Sequence, residues 1–427
     1  MLHFAEGSSE TVIDQELTEN LLQQMLGNLQ RSKPLKRVLL IPPDITRWHS
    51  GAGPLTVRLF ELLHGSADVF VLPALGTHEE MNEEERHRMF PGIPDDRFRV
   101  HHWRNNVDPL GEIPPERVRE LSENKLHFSA QVLLSKVITQ EPWDAIISIG
   151  QLVPHEVIGI ANHNKNIFVG CGGKDLINKS HWLGAVYGME RIMGRARTPV
   201  RDMLNDASRR FATNLPIHYL LTVRGRDVLG KIVTRGLFAG DDEECYLRGA
   251  ELAREVNINY LEREPHKVVV YLEPEEFKST WLGNKAVYRT RMAIADEGEL
   301  IILAPGVRMF GEDAEIDRLI RQFGYRGTST TLEAVESHPE LAENLSAAAH
   351  LIHGSSEGRF RVTYCPGYLT EDEIRGVGFN YLDLATAMAQ YPPTELKDGW
   401  NSWRGEEIFF VSNPGLGLWG TKARFGA

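Results

Sequence analysis

The sequence predicts an α/β protein: two α/β domains with parallel-type sheets and an active-site cleft between them. Three observations lead there. Short apolar runs stop abruptly at Pro or Gly, helical and polar stretches alternate with them, and a charged, proline-containing joint divides the chain. Runs that are apolar at every position suit strands covered on both faces, as in parallel sheets flanked by helices.

The elements follow in order. Arg37-Val38-Leu39-Leu40-Ile41 is the first clear strand, stopped by Pro42-Pro43. A helix is expected over 55–63, a second strand over 69–72 and a helix over 82–89. A third strand over 145–149 ends at Gly150, and a helix over 180–194 carries His181 beside Trp182. Glu262-Arg263-Glu264-Pro265-His266-Lys267 forms the joint. Beyond it come a strand over 268–272, a helix over 284–295 and a strand over 300–304 closed by Pro305-Gly306. A last strand over 408–411 sits in a tail free to return to the first domain. The domains expected are therefore 1–265, catalytic and cofactor-binding, and 266–427, contributing substrate contacts.

Composition narrows the function. The 427 residues carry 47 Lys+Arg against 59 Asp+Glu, a net charge of -12, which disfavours nucleic acid as a partner because phosphate binding needs a basic surface. No apolar run reaches the roughly 18 residues of a membrane span, and the acidic first 20 residues do not read as a signal peptide. Cys171, Cys245 and Cys365 are too few and too far apart for a disulfide framework or a zinc knuckle. A cytoplasmic enzyme is the expectation.

In open α/β sheets ligands sit at the carboxyl ends of strands, so chemistry is sought in the loops there. After the first strand come Asp44-Ile45-Thr46-Arg47-Trp48-His49. Arg47 can grip a carboxylate with its planar fork, and Asp44 can orient a neighbour or simply cap a helix. After the second strand, Gly76-Thr77-His78 places a histidine suited to acid–base work near neutral pH, or to capping. After the third, Pro154-His155 supplies another. Gly170-Cys171-Gly172-Gly173-Lys174-Asp175 is a glycine loop that can approach a phosphate. It fits neither the P-loop nor the dinucleotide fingerprint. An imidazole at His181 suits nickel or a similar metal, but no second ligand stands at metal spacing, so most ligands would come from elsewhere.

Taken together, Asp44-Ile45-Thr46-Arg47, Gly76-Thr77-His78, Pro154-His155 and Gly172-Gly173-Lys174 resemble, in order, the motifs of the lactate racemase family. The resemblance spans about residues 35–310 and implies a nickel-pincer nucleotide, a pyridinium mononucleotide whose two sulfur arms and one ring carbon surround a nickel ion. It implies that Lys174 tethers the cofactor, that Gly172, Gly173 and Thr46 line it, and that His181 completes the nickel coordination. It implies that Asp44, Arg47 and Lys285 bind the substrate, a 2-hydroxy acid, and that His78 and His155 exchange its hydroxyl proton. Cofactor-making proteins would be partners, with a homo-oligomer as a further possibility.

The sequence also departs from the family. Glu79 follows the histidine where Arg is frequent, and Leu282 stands where a glutamine precedes the second-domain lysine. Cys171 replaces a common serine, and His155 lies 19 residues before Lys174, so 162–170 reads as an insertion. These departures point to a substrate larger than lactate, such as a sugar acid. The competing readings are an NAD-dependent 2-hydroxy acid oxidoreductase, and a non-catalytic protein binding a small acid or nucleotide.

Overall fold

The computed structural model describes residues 1–426. The chain divides into two compact units, residues 1–180 with 194–257, and residues 181–193 with 258–427.

In the first unit the strands of the main sheet are β1 (Leu2–Gly7), β2 (Arg37–Ile41), β3 (Asp68–Val71), β4 (Ala145–Gln151), β5 (Ile217–Arg226) and β6 (Ile232–Gly240). Their order across the sheet is β1-β6-β5-β4-β2-β3. The four strands from β5 to β3 are parallel, while β6 and β1 add antiparallel neighbours at one side. Val38 and Leu40 join a core with Val69, Val71, Ala145 and Ile147, while Leu39 and Ile41 are equally buried on the opposite face. The all-apolar runs therefore mean what they suggested.

Helix α1 (Gln15–Ser32) and helix α2 (Ala52–Leu63) cover the first of these faces. Leu55, Leu59 and Leu63 recur every four residues and are buried together, each contributing roughly 1.5–3 kcal/mol of apolar burial. Helix α3 (Glu83–Met89) begins one residue later than expected, because Asn82 is its cap and forms a reciprocal capping box with Glu85. Thr77 and His78 therefore lie in a separate turn, with His78 N donating to Leu75 O at 2.9 Å.

The segment 162–170 contains helix α4 (Asn164–Phe168). Helix α5 (Lys174–Tyr187) replaces the helix expected over 180–194. It starts at the glycine loop and ends at Gly188, whose φ of 109° breaks the run before a short turn, Met189–Ile192. Helices α6 (Pro199–Phe211) and α7 (Glu243–Asn257) also belong to this unit.

The second unit holds β7 (Lys267–Tyr271), β8 (Glu299–Ala304), β9 (Arg361–Pro366), β10 (Asn380–Tyr381), β11 (Gly399–Trp403) and β12 (Glu406–Val411). The order is β10-β9-β8-β7-β12-β11, all parallel except the β11–β12 pair. Helix α8 (Lys285–Thr290), shorter than the 284–295 expected, lies between β7 and β8 in the chain. The division falls after Asn257 rather than at 265, since Asn259–Leu261 pairs with Trp419–Thr421 in this unit. That pairing also keeps the tail in the second unit. Residues 181–193 group here too, where Glu190 receives Arg291 at 3.2 Å and Arg359 at 2.9 Å. The three cysteines are free thiols, all buried. No described helix is long and apolar enough to cross a membrane.

Candidate active site

Asp44 follows β2 and is 4% exposed. One carboxylate oxygen caps the turn Ile45–Ser50, accepting from Thr46 N at 3.1 Å and from the Thr46 hydroxyl. The other accepts from His78 Nδ1 at 2.5 Å. The capping and orienting readings of Asp44 are thus both true, one per oxygen. Burial pushes this carboxyl up, but the hydrogen bonds from His78 and Thr46, with Arg47 nearby, outweigh it and hold Asp44 below the usual carboxylate range. Arg47 Nη1 also donates to Thr46 Oγ1 at 3.1 Å, so Asp44, Thr46, Arg47 and His78 form one cluster.

An ionised carboxylate only accepts, so the proton of neutral His78 sits on Nδ1 and its Nε2 carries a lone pair. The His78 side chain is 49% exposed, so that nitrogen is placed to take a proton from a ligand. His155 is set the other way. It lies on the short strand Pro154–His155, and its Nδ1 accepts from Val157 N at 3.1 Å. Neutral His155 therefore carries its proton on Nε2. The two histidines hold opposite ring states, an acceptor at one and a donor at the other.

The glycine loop joins this neighbourhood through Gly76 N, which donates to Gly170 O at 2.8 Å. Packing alone explains why Gly172 is glycine, because an added Cβ would lie 1.8 Å from Phe168 O. Gly173 is similarly pressed against Leu133. His101 Nε2 donates to Gly172 O at 3.0 Å, and burial brings that histidine down to about 4. Burial also pushes the Cys171 thiol up, which keeps it from acting as a thiolate. Lys174 opens helix α5 with an exposed side chain.

The structure adds Lys165, which the sequence reading passed over. It is half-buried on α4, and burial, reinforced by the positive charge of Arg47, brings its amine down to about 8. Asn166 beside it donates to Ile41 O and to Ser148 Oγ, both at 3.0 Å, which ties α4 to the end of β2 and the middle of β4. Lys165 stands 10 residues after His155 (165−155), inside the stretch that looked inserted.

His181 is half-buried on α5, seven residues after Lys174, and belongs to the second unit. Lys285 also belongs there, with Nζ 4.0 Å from Glu276 and 5.5 Å above the Phe277 ring. Among the described residues one group of three metal-capable side chains comes together, Glu83, His87 and Asp95, and it excludes His181. It is exposed, and Arg86 already occupies Asp95 at 3.0 Å. An apolar cavity of about 890 Å³ beside Trp48, Met89 and Ile232 contains neither catalytic candidate.

Residues 4–192 match the family model of the lactate racemase N-terminal domain. The fold is similar to a crystal structure of a Thermotoga maritima protein, with a TM-score of 0.78 and 23% identity, covering 96% of this chain and 99% of that one. It is also similar to the lactate racemase apoprotein from Thermoanaerobacterium thermosaccharolyticum, with a TM-score of 0.69 and 18% identity, covering 97% and 94%. At those identities the likeness speaks for the fold. No curated protein matches. Residues 4–192, the stretch that matches this family model, hold the Asp44–His78 pair, His155 and Lys165.

Proposed function

We propose that the protein is a racemase or epimerase that inverts the alpha carbon of a 2-hydroxy acid, with a nickel-pincer nucleotide as hydride acceptor. The observation that carries this reading is the pair of histidines in opposite ring states, one seated on a buried carboxylate. Inverting a carbon that bears a hydroxyl requires a base for that proton and an acid to return it. His78 Nε2 takes that proton and the imidazolium so formed returns it, His155 Nε2–H hydrogen-bonds the substrate oxygen, and Arg47 binds the carboxylate as a fork. Asp44 keeps His78 in the required tautomer and stabilises it once protonated, the role such a carboxylate plays in a catalytic triad.

The residues fit the cofactor. An amine near 8 has a useful neutral fraction at neutral pH, which suits acylation, and one imidazole is a suitable nitrogen donor for nickel. We therefore place the anchoring role on Lys165 rather than Lys174, and the nickel contact on His181. Thr46, Gly172 and Gly173 remain candidates for its lining, and Lys285 for a substrate contact. When bound, the cofactor accepts hydride and so spares the weakly acidic carbon a carbanion. Leu282 in place of a polar side chain favours a substrate larger than lactate, such as a sugar acid.

Co-expression with cofactor-making enzymes tests the reading, followed by intact mass, peptide mapping, nickel analysis and chiral chromatography over lactate and a panel of aldonates. The expected result is a cofactor-sized adduct on Lys165, near one nickel per chain and inversion of a hydroxy acid without net oxidation. An adduct on Lys174 would move the anchor. A bare chain despite proven cofactor supply, or NADH formation with net loss of hydroxy acid, would overturn the proposal.

A further inference from the structure

The turn that leads into α4 is held in a conformation its residues disfavour. Asn162 and His163 have φ of 65° and 58°, and His163 combines this with ψ of −134°, a region that favours glycine. Two such residues in succession persist only where the surroundings over-determine them. Gly150 at the end of β4 leaves room for the turn, since a Cβ there would lie 1.8 Å from Asn162 Nδ2.

Arg201 on α6 holds the turn. It is 1% exposed and donates through Nη2 to Ile160 O at 2.7 Å and through both Nη atoms to Asn162 O at 3.2 Å. Nη1 also donates to Asn164 Oδ1 at 2.5 Å, and Asn164 Nδ2 donates in turn to Asn205 at 2.6 Å. The guanidinium lies 4.1 Å from the Tyr246 ring centroid. His163 is fixed by Asp242 O at 3.2 Å and by the Tyr219 ring at 3.9 Å. Lys165 follows directly, between Asn164, which is tied to Arg201, and Asn166, which is tied to β2 and β4.

We propose that Arg201 is a positioning residue for the Lys165 amine, its clamp on the strained Asn162–His163 turn keeping that amine half-buried beside Arg47. The charged groups that face the amine are Arg47 after β2, Arg201 on α6 and Glu156 beside His155. The two arginines disfavour the ammonium and Glu156 favours it, but burial is the largest influence. The inference rests on Lys165 being the amine the site uses, yet its test needs no cofactor.

The test is trace acetylation of the full-length protein with acetic anhydride from pH 6 to 11, quantified for each lysine by peptide mass spectrometry. In the unaltered protein Lys165 should reach half-reactivity near 8, well below the ordinary lysine value of about 10.4. In Arg201→Gln the Lys165 midpoint should rise by about one pH unit or more. Arg201→Lys keeps the charge but cannot span the carbonyls, and should move the midpoint most of the same way. Asn164→Ala removes one acceptor, should give a smaller rise, and carries the test if both Arg201 variants fail to fold. The proposal is overturned if Lys165 shows the ordinary lysine midpoint of about 10.4 from the outset, if Arg201→Lys keeps the unaltered midpoint, or if Asn164→Ala leaves it unmoved when it alone folds. A clamp-dependent midpoint without any cofactor adduct on Lys165 would overturn the function proposed above and leave this inference standing.

Discussion

Each unit holds a histidine fixed by hydrogen bonds, and the two do opposite things. In the first unit His78 uses one nitrogen on buried Asp44 and leaves the rest of its ring half exposed. In the second, His350 is 5% exposed, with Nδ1 2.8 Å from Tyr288 Oη and Nε2 3.0 Å from Tyr325 Oη. Tyr325 continues to Thr280 at 2.8 Å, and Trp281 stacks on the imidazole at 4.1 Å. Both of its nitrogens are taken, and burial brings His350 down to about 3. An imidazole becomes an acid–base group when one nitrogen is oriented and the other is open to a ligand. With both nitrogens satisfied in the dry interior it is a structural part.

Four experiments would break or sharpen this contrast. The largest effect is expected from Asp44→Asn in the cofactor-loaded protein. An amide can donate to Nδ1 and trap the wrong tautomer, so kcat/KM should fall about 10³–10⁴-fold, as for the equivalent change in a catalytic triad. A loss below tenfold would break the assignment of His78. Next, His350→Leu should remove one hydrogen bond from each of the Tyr288 and Tyr325 hydroxyls and cost roughly 1–3 kcal/mol in urea unfolding. The unaltered reactivity of Lys165 toward acetic anhydride would show that the damage stays in the second unit.

The third concerns pH. The folded value of His350 lies below the unfolded value near 6.5, so between about 6.5 and 3 the unfolded chain binds a proton that the folded chain does not. Stability is therefore unaffected by this group above 6.5 and falls as pH drops through that window, by at most about 1.4 kcal/mol per pH unit. His350→Leu should remove that share from the slope measured between pH 6.5 and 5. The smallest effect belongs to Thr46→Val, which deletes one hydrogen bond to Asp44. It should cost about 1 kcal/mol and let the Asp44 carboxyl rise toward its ordinary range, followed by carboxylate NMR. Because Asp44 is depressed in the folded protein, its contribution is complete above the unfolded value near 3.9 and is lost as pH falls through the folded value. Thr46→Val should weaken that loss.

Much of this was legible in the sequence wherever the cause is local. The buried strands show as unbroken apolar runs, and Asp44 and His78 stand at strand ends where a parallel sheet collects ligands. Lys165 was not legible, because nothing in Asn162–Asn166 says that Arg201, nearly 40 residues on, turns a polar stretch inward. The grouping of 181–193 with the second unit was hidden for the same reason. It depends on Arg291 and Arg359 reaching Glu190 from far along the chain. Gly188 was visible, but only the observed φ shows that it ends a helix rather than lying within one.

The buried thiols offer a use of their own. Cys171 and Cys245 lie in the first unit and Cys365 in the second, and each is closed to solvent in the folded protein. A thiol reagent can therefore react only when the surrounding unit opens, and its rate at each position measures how often that happens. One labelling time course on the unmodified chain then reports two opening free energies side by side, and shows whether a ligand that steadies one unit is felt by the other.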